Sequence, residues 1–159
     1  MKITILCVGK IKEKFYREAL DEYIKRMSRY AKVEVVEVAD EKTPDGASEA
    51  VENSIKEKEG EKLLAKWDEG AYTFVLAING KQLSSEEFAD KINSLGTYGT
   101  SNIQFVIGGS LGLSEKVIKK ADFLLSFSKM TFPHQLMRVV LLEQIYRAHR
   151  IIKNEPYHK

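Results

Sequence analysis

The stretch FLLSFSKMTFPHQ, residues 123–135, holds the first clue to the fold. It opens on an apolar run of strand size, Phe123-Leu124-Leu125, and ends where a long helical pattern begins at Gln135. What lies between must be a surface connection, and connections are normally polar and rich in Gly, Asn and Asp. This one instead carries Phe127, Met130 and Phe132, with Lys129 as its single charge. Pro133 suits the helix start, where its missing N–H forfeits no internal hydrogen bond. Strand, loop, helix is the pattern, and it recurs along the chain.

Upstream, residues 3–8, 33–38, 73–78 and 103–107 also read as strands. Several are continuous apolar runs, the mark of strands covered on both faces. Helical patterns separate them. Over residues 12–29, Phe15, Ala19, Leu20, Tyr23, Ile24 and Met27 recur at helical spacing. Residues 48–66 are highly charged and end with Leu63, Leu64 and, just beyond, Trp67. Residues 84–95 open with Ser84 and Glu87 in capping-box spacing. Residues 114–120 make a short helix and residues 135–153 the longest one. Strands alternating with helices predict an α/β domain with a largely parallel sheet. Residues 40–47, with Pro44 and Gly46, form a flexible loop too short to divide the chain, so a single domain over residues 1–159 is expected.

Composition narrows the function classes. Hydrophobic content of 43% and charged content of 30% are ordinary for a globular protein. No apolar run is long enough to span a membrane. The opening MKITILCVGK has too short an apolar part for a signal peptide, and the segment after it is too charged. The single Cys7 lies inside that run and reads as a buried, inert thiol. No intrachain disulfide can form, which fits a reducing, cytoplasmic location. A net charge of +2 is too small to predict a nucleic-acid partner by itself. Lys10, Lys12, Lys14 and Arg17 do cluster, and Arg138, Arg147, Arg150, Lys153 and Lys159 gather near the C-terminus with all three histidines. Such charges read as solvated helix faces or as a basic surface for RNA. No metal-ligand cluster is present.

In a parallel sheet, ligands bind at the carboxyl ends of strands, near a switch in strand order. Three loops leave such ends: Asn79-Gly80, the GGSLG run at residues 108–112, and SFSKMTFP at residues 126–133. Glycines let backbone approach a ligand, though a tight turn explains them equally well. A phosphate loop would need GxxxxGK[ST], and Gly80-Lys81 lacks the rest of it; GxGxxG is also absent. The apolar loop either tucks into the core or forms a pocket wall for a flat, uncharged base such as adenine.

The last helical pattern has too much apolar surface for one partner. Met137, Val140, Leu141, Ile145, Ala148 and Ile152 form one stripe, and Leu136, Val139, Leu142, Tyr146 and Ile151 flank it. Either the helix is buried entirely within its own domain, or a second copy covers the flank. A homodimer is the preferred expectation, because two-fold association uses one patch twice.

The runs FVIGGSLGL, LSFSKMTFPHQLMRVVLLEQIYRAHRI and the terminal PYHK, with MKITILCVGKIKEKFYREALDEYIKR and INGKQLSSEEFA, resemble the ribosomal RNA large-subunit methyltransferase H family. These are SPOUT-class enzymes that methylate N3 of a pseudouridine in 23S ribosomal RNA. The similarity covers essentially the whole chain. It implies an α/β knot fold, a parallel-rich sheet flanked by helices whose C-terminal segment threads a deep trefoil knot, and an obligate homodimer. It implies S-adenosyl-L-methionine as cofactor, bound by Leu76, Gly108, Phe127, Ser128, Lys129, Met130, Thr131 and Phe132, with Gly109 and Gly112 in support. It implies Arg147, Tyr157 and His158 on the substrate side, with the tail reaching the partner subunit's site.

Methyl transfer to N3 requires loss of the N3 proton, so a base or a cation facing the deprotonated ring would help. Arg147 and His158 are the expected candidates, while Arg138 and a stacking Tyr157 are also available. His134, at a helix start that disfavours its protonated form, reads as a packing or capping residue or a neutral base. A small dimer with few phosphate contacts should bind naked RNA weakly, so the expected substrate is 23S RNA within the assembled ribosome. A SPOUT enzyme acting on tRNA and a catalytically silent cofactor-binding module are the alternatives.

Overall fold

The computed structural model describes residues 1–159. Its ten elements alternate as β1 (Lys2–Val8), α1 (Lys14–Met27), β2 (Lys32–Val38), α2 (Glu49–Ala65), β3 (Tyr72–Gln82), α3 (Ser85–Thr97), β4 (Asn102–Ile107), α4 (Glu115–Lys120), β5 (Phe123–Ser126) and α5 (His134–Ile152). The strands form one sheet in the order β2-β1-β4-β3-β5, and every neighbouring pair is parallel. The α/β class with a parallel sheet is therefore as the alternation predicts.

Side chains alternate across a strand, so each apolar run feeds two cores. Ile3, Ile5 and Cys7 of β1 enter the larger core with Phe74, Phe105, Leu20, Ile92, Leu141 and Ile145, under α1, α3 and α5. Leu6 and Val8 enter the smaller one with Val75, Val106, Leu63 and Val117, under α2 and α4. Phe74 stacks on Phe105 at 4.9 Å and meets the edges of Phe88 and Phe123. Each such pair contributes about 0.5–1.5 kcal/mol beyond its area burial. The Ser84–Glu87 capping box is complete and starts α3 as the spacing requires. Cys7 is fully buried, and burial pushes its thiol up to about 12, far from a reactive thiolate.

Two sequence expectations are corrected. β3 does not stop at Ile78: it runs to Gln82, with Leu76 and Lys81 both opposite Leu125 of β5, so residues 77–80 bulge out of the ladder. Gly80 makes this crossing feasible, because a Cβ there would lie 2.7 Å from the Leu124 carbonyl. Periodicity stops at the bulge, which is why it predicts a shorter strand.

The second concerns Arg138, expected among the exposed basic or substrate-side groups. It is fully buried, ion-paired with Glu37 and donating to the carbonyls of Gly9 at 2.7 Å and Val8 at 3.4 Å. Its guanidinium clasps the end of β1 onto α5 and is withdrawn from any RNA surface. On α5 the buried face is Met137, Leu141, Leu142, Ile145 and Ala148, against α1 and α3. Leu136, Val139, Val140, Tyr146, Ile151 and Ile152 stay half-exposed. No helix is long and apolar enough to cross a membrane.

Candidate active site

Because β4, β3 and β5 are adjacent in the sheet, the bulge within β3 and the segments leaving the carboxyl ends of β4 and β5 meet. They enclose a cavity of about 560 Å³ whose lining is mainly apolar. That volume lies within the range of roughly 300–1,000 Å³ typical of small-ligand sites. Leu76 to Asn79 supply one wall, Ile107 to Leu113 the second, and Phe127, Ser128, Met130, Thr131 and Phe132 the third. Nine of the ten residues expected to bind cofactor thus line a single cavity. Lys129 does not; its side chain is exposed outside the lining.

The apolar loop does not simply tuck into the core. Phe127 packs against the larger core, but Met130 is 73% and Phe132 38% exposed. The loop is held open by its serines: the Ser126 hydroxyl donates to the Ile78 carbonyl at 2.9 Å, and the Met130 N–H donates to Ser128 Oγ at 3.0 Å. The first of these ties the end of β5 to the β3 bulge.

The glycines have mixed reasons. Gly112 has φ +90°, and its N–H donates to the Gly109 carbonyl at 3.1 Å, which closes a tight turn. A Cβ on Gly108 would lie 2.8 Å from Leu113 Cγ and 3.0 Å from the Gly112 carbonyl carbon. The missing side chains therefore let the turn fold on itself, and the cavity receives its backbone edge. Gly108→Ala is expected to displace this turn, destabilise the fold by about 1–3 kcal/mol and weaken ligand binding in the cavity, as thermal melting and calorimetric titration can measure.

Two groups that sequence patterns did not assign to the cavity border it. His134 lines it, with Nδ1 buried and unpartnered; burial and nearby Arg138 lower its basicity, so the ring is neutral. Glu59 of α2 lies 4% exposed behind the glycine turn, one oxygen accepting from the Glu41 N–H at 2.9 Å and the other without a partner. Burial raises its pKa. Its place on the charged helix α2 gave no sign of burial.

Arg147, Tyr157 and His158 also come together, but none lines this cavity. Glu143 Oε1 accepts from Arg147 Nε at 3.1 Å, from Arg147 Nη2 at 2.6 Å and from the Tyr157 hydroxyl at 3.1 Å. Arg147 also stacks 4.7 Å from the Tyr157 ring centroid. Burial, with the Glu143 carboxylate, pushes the Tyr157 phenol up to about 12, so it is a donor near neutrality. His149, the third histidine of this region, is buried and donates Nδ1–H to the Ile145 carbonyl at 2.9 Å, a packing role. No group of His, Cys, Asp and Glu has the arrangement of a metal site.

Residues 1–158 match the protein family described as "Predicted SPOUT methyltransferase". The chain belongs to the SPOUT methyltransferase family. It is 62% identical over all 159 residues, the full length of both chains, to proteins named "Ribosomal RNA large subunit methyltransferase H" from Bifidobacterium adolescentis and Clostridium novyi. A Clostridium perfringens protein named "Ribosomal RNA large subunit methyltransferase H 1" is 58% identical over the same span. Membership in this family makes this chain a methyltransferase.

Proposed function

We propose that this SPOUT methyltransferase transfers a methyl group from S-adenosylmethionine to N3 of a pseudouridine in large-subunit ribosomal RNA, acting on the assembled ribosome as a homodimer. The observation that carries the reading is the convergence of the β3 bulge and the segments after β4 and β5 on one mainly apolar cavity of about 560 Å³. Its fit to the cofactor is chemical: Leu76, Phe127, Met130 and Phe132 offer faces to a flat base, and backbone edges at Gly108 and Gly109 offer hydrogen bonds. When bound, S-adenosylmethionine supplies the electrophilic methyl group.

The protein's own task is to orient the acceptor and manage the N3 proton. Arg147 is the cation suited to the charge that develops on the ring as that proton leaves. Tyr157, kept protonated, serves as donor or stacking surface. Since Arg147, Tyr157 and His158 lie outside their own chain's cavity, a second copy is needed to deliver them. The half-exposed apolar flank of α5 is the surface on which that copy would sit. We include the trefoil knot in this reading, as the family resemblance implies it. A bacterial, reducing cytoplasm suits the free, buried Cys7.

The test is labelled methyl transfer to ribosomes lacking the modification, beside protein-free RNA of the same sequence. The expected result is label on a large-subunit pseudouridine in ribosomes, and at least about tenfold less on free RNA, because a small dimer of low net charge gains little from phosphate contacts. Equal transfer to both would remove the ribosome from the reading, and transfer only to tRNA would replace the substrate.

A further inference from the structure

We propose that Glu86, on the first turn of α3, is a positioning residue that sets the tautomer of His158 and through it the aim of Arg147. The inference rests on the reading of Arg147 as the acceptor-side cation. Its basis is a chain of short contacts linking parts of the sequence far apart: Glu86 Oε1 lies 2.6 Å from His158 Nε2, and His158 Nδ1 lies 3.2 Å from Arg147 Nη1.

The donor and acceptor inventory resolves this chain. An arginine guanidinium can only donate, and an ionised carboxylate can only accept. Nδ1 must therefore accept from Arg147, and Nε2–H must donate to Glu86. Both contacts coexist only in the neutral ring protonated on Nε2. His158 then has no lone pair free, and it is a relay rather than the base that removes the N3 proton. The Glu86 side chain is 60% exposed, and its own backbone N–H at the helix start, and then His158, hold its carboxyl below the usual carboxylate range. The capping box at Ser84 and the 2.7 Å bond from Ser85 Oγ to Gln144 Oε1 fix that helix start against α5.

The consequence falls on Arg147. Of its five N–H donors, Nε–H and one on Nη2 go to Glu143, and one on Nη1 goes to His158. Two remain, one on each terminal nitrogen. A guanidinium held from two sides presents these as a fixed pair, suited to an oxygen and the adjacent deprotonated nitrogen of a uracil ring. With Glu86 removed, Nε2–H loses its partner and the ring is free to rotate off Arg147; once off, it samples both tautomers, and Arg147 loses one of its two supports.

The chain has only three histidines, so nitrogen-15 ring labelling with an H158Q reference assigns His158 directly in the intact protein. In the unmodified sequence His158 is expected as the Nε2–H tautomer; in E86A it is expected to average between tautomers. Methyl transfer by E86A should fall on the order of tenfold in kcat, with cofactor KM unchanged. E86Q should recover most of it, since its amide oxygen can still accept from Nε2–H. An unchanged tautomer in E86A overturns the positioning role, whatever the activity. An altered tautomer with undiminished kcat overturns the link to catalysis. Full transfer by R147A overturns instead the reading of Arg147 on which the proposal rests.

Discussion

Arg147→Ala is expected to lower methyl transfer by about 100-fold or more while leaving cofactor affinity within about twofold. Removing one preorganised charge-stabilising donor from an active site costs about 10²–10³ in rate. The separation of effects is expected because Arg147 does not line its own chain's cavity, and the Arg147 that a second copy would deliver acts on the acceptor ring rather than on the cofactor. Arg147→Lys should rescue poorly. A lysine cannot keep the paired bonds to Glu143 and the bond to His158 while retaining two further donors. Single-turnover transfer, with cofactor binding measured by calorimetry, checks both parts. A loss of cofactor affinity equal to the loss of rate would place Arg147 in the wrong half of the site.

Arg138→Ala is expected to give the largest loss of stability of any single change outside the apolar core, about 3–5 kcal/mol. Arg138 is fully buried, and its removal strands the carbonyls of Val8 and Gly9 along with part of the Glu37 carboxylate. Glu37 is 26% exposed in its side chain and also accepts from the Ile11 N–H, so water can recover some of that loss. Arg138→Met keeps the volume and should cost less, and adding Glu37→Gln to it should recover part of the difference. Urea unfolding followed by circular dichroism checks this: the midpoint should fall with no change in slope. A melting temperature lowered by roughly 6–20 °C in Arg138→Ala would agree, at about 2–4 °C per kcal/mol for a chain of this size.

The contrast between these two arginines marks how far local patterns carry. Both lie on α5, Arg138 among Leu136, Met137, Val139 and Val140 and Arg147 beside His149 and Arg150, but neither setting names the partner each one meets. One anchors β1 through bonds that span roughly 130 positions of sequence, while the other faces the tail. Glu59 makes the same point on α2. It sits among charges that are nearly all solvated, yet it is buried behind the glycine turn after β4. The β3 bulge was hidden for another reason: its cause is a close passage against β5, and periodicity along one strand contains no information about what crosses it.

By itself the sequence determined the element order, the parallel α/β class, the start of α3 through Ser84 and Glu87, and an apolar loop between β5 and α5 in need of an occupant. Each depends on neighbours within a few residues, where backbone geometry and side-chain period act directly. Family resemblance named the cavity residues, and nine of those ten share one cavity. Tertiary structure alone decided that Arg138 is an internal clasp, that Lys129 points away from the cavity, and that His158 is wedged between a carboxylate and a guanidinium. Those facts turn on contacts between residues 11 to about 130 positions apart. Charge and hydrogen bonding act through space, so only the folded chain settles which partners meet.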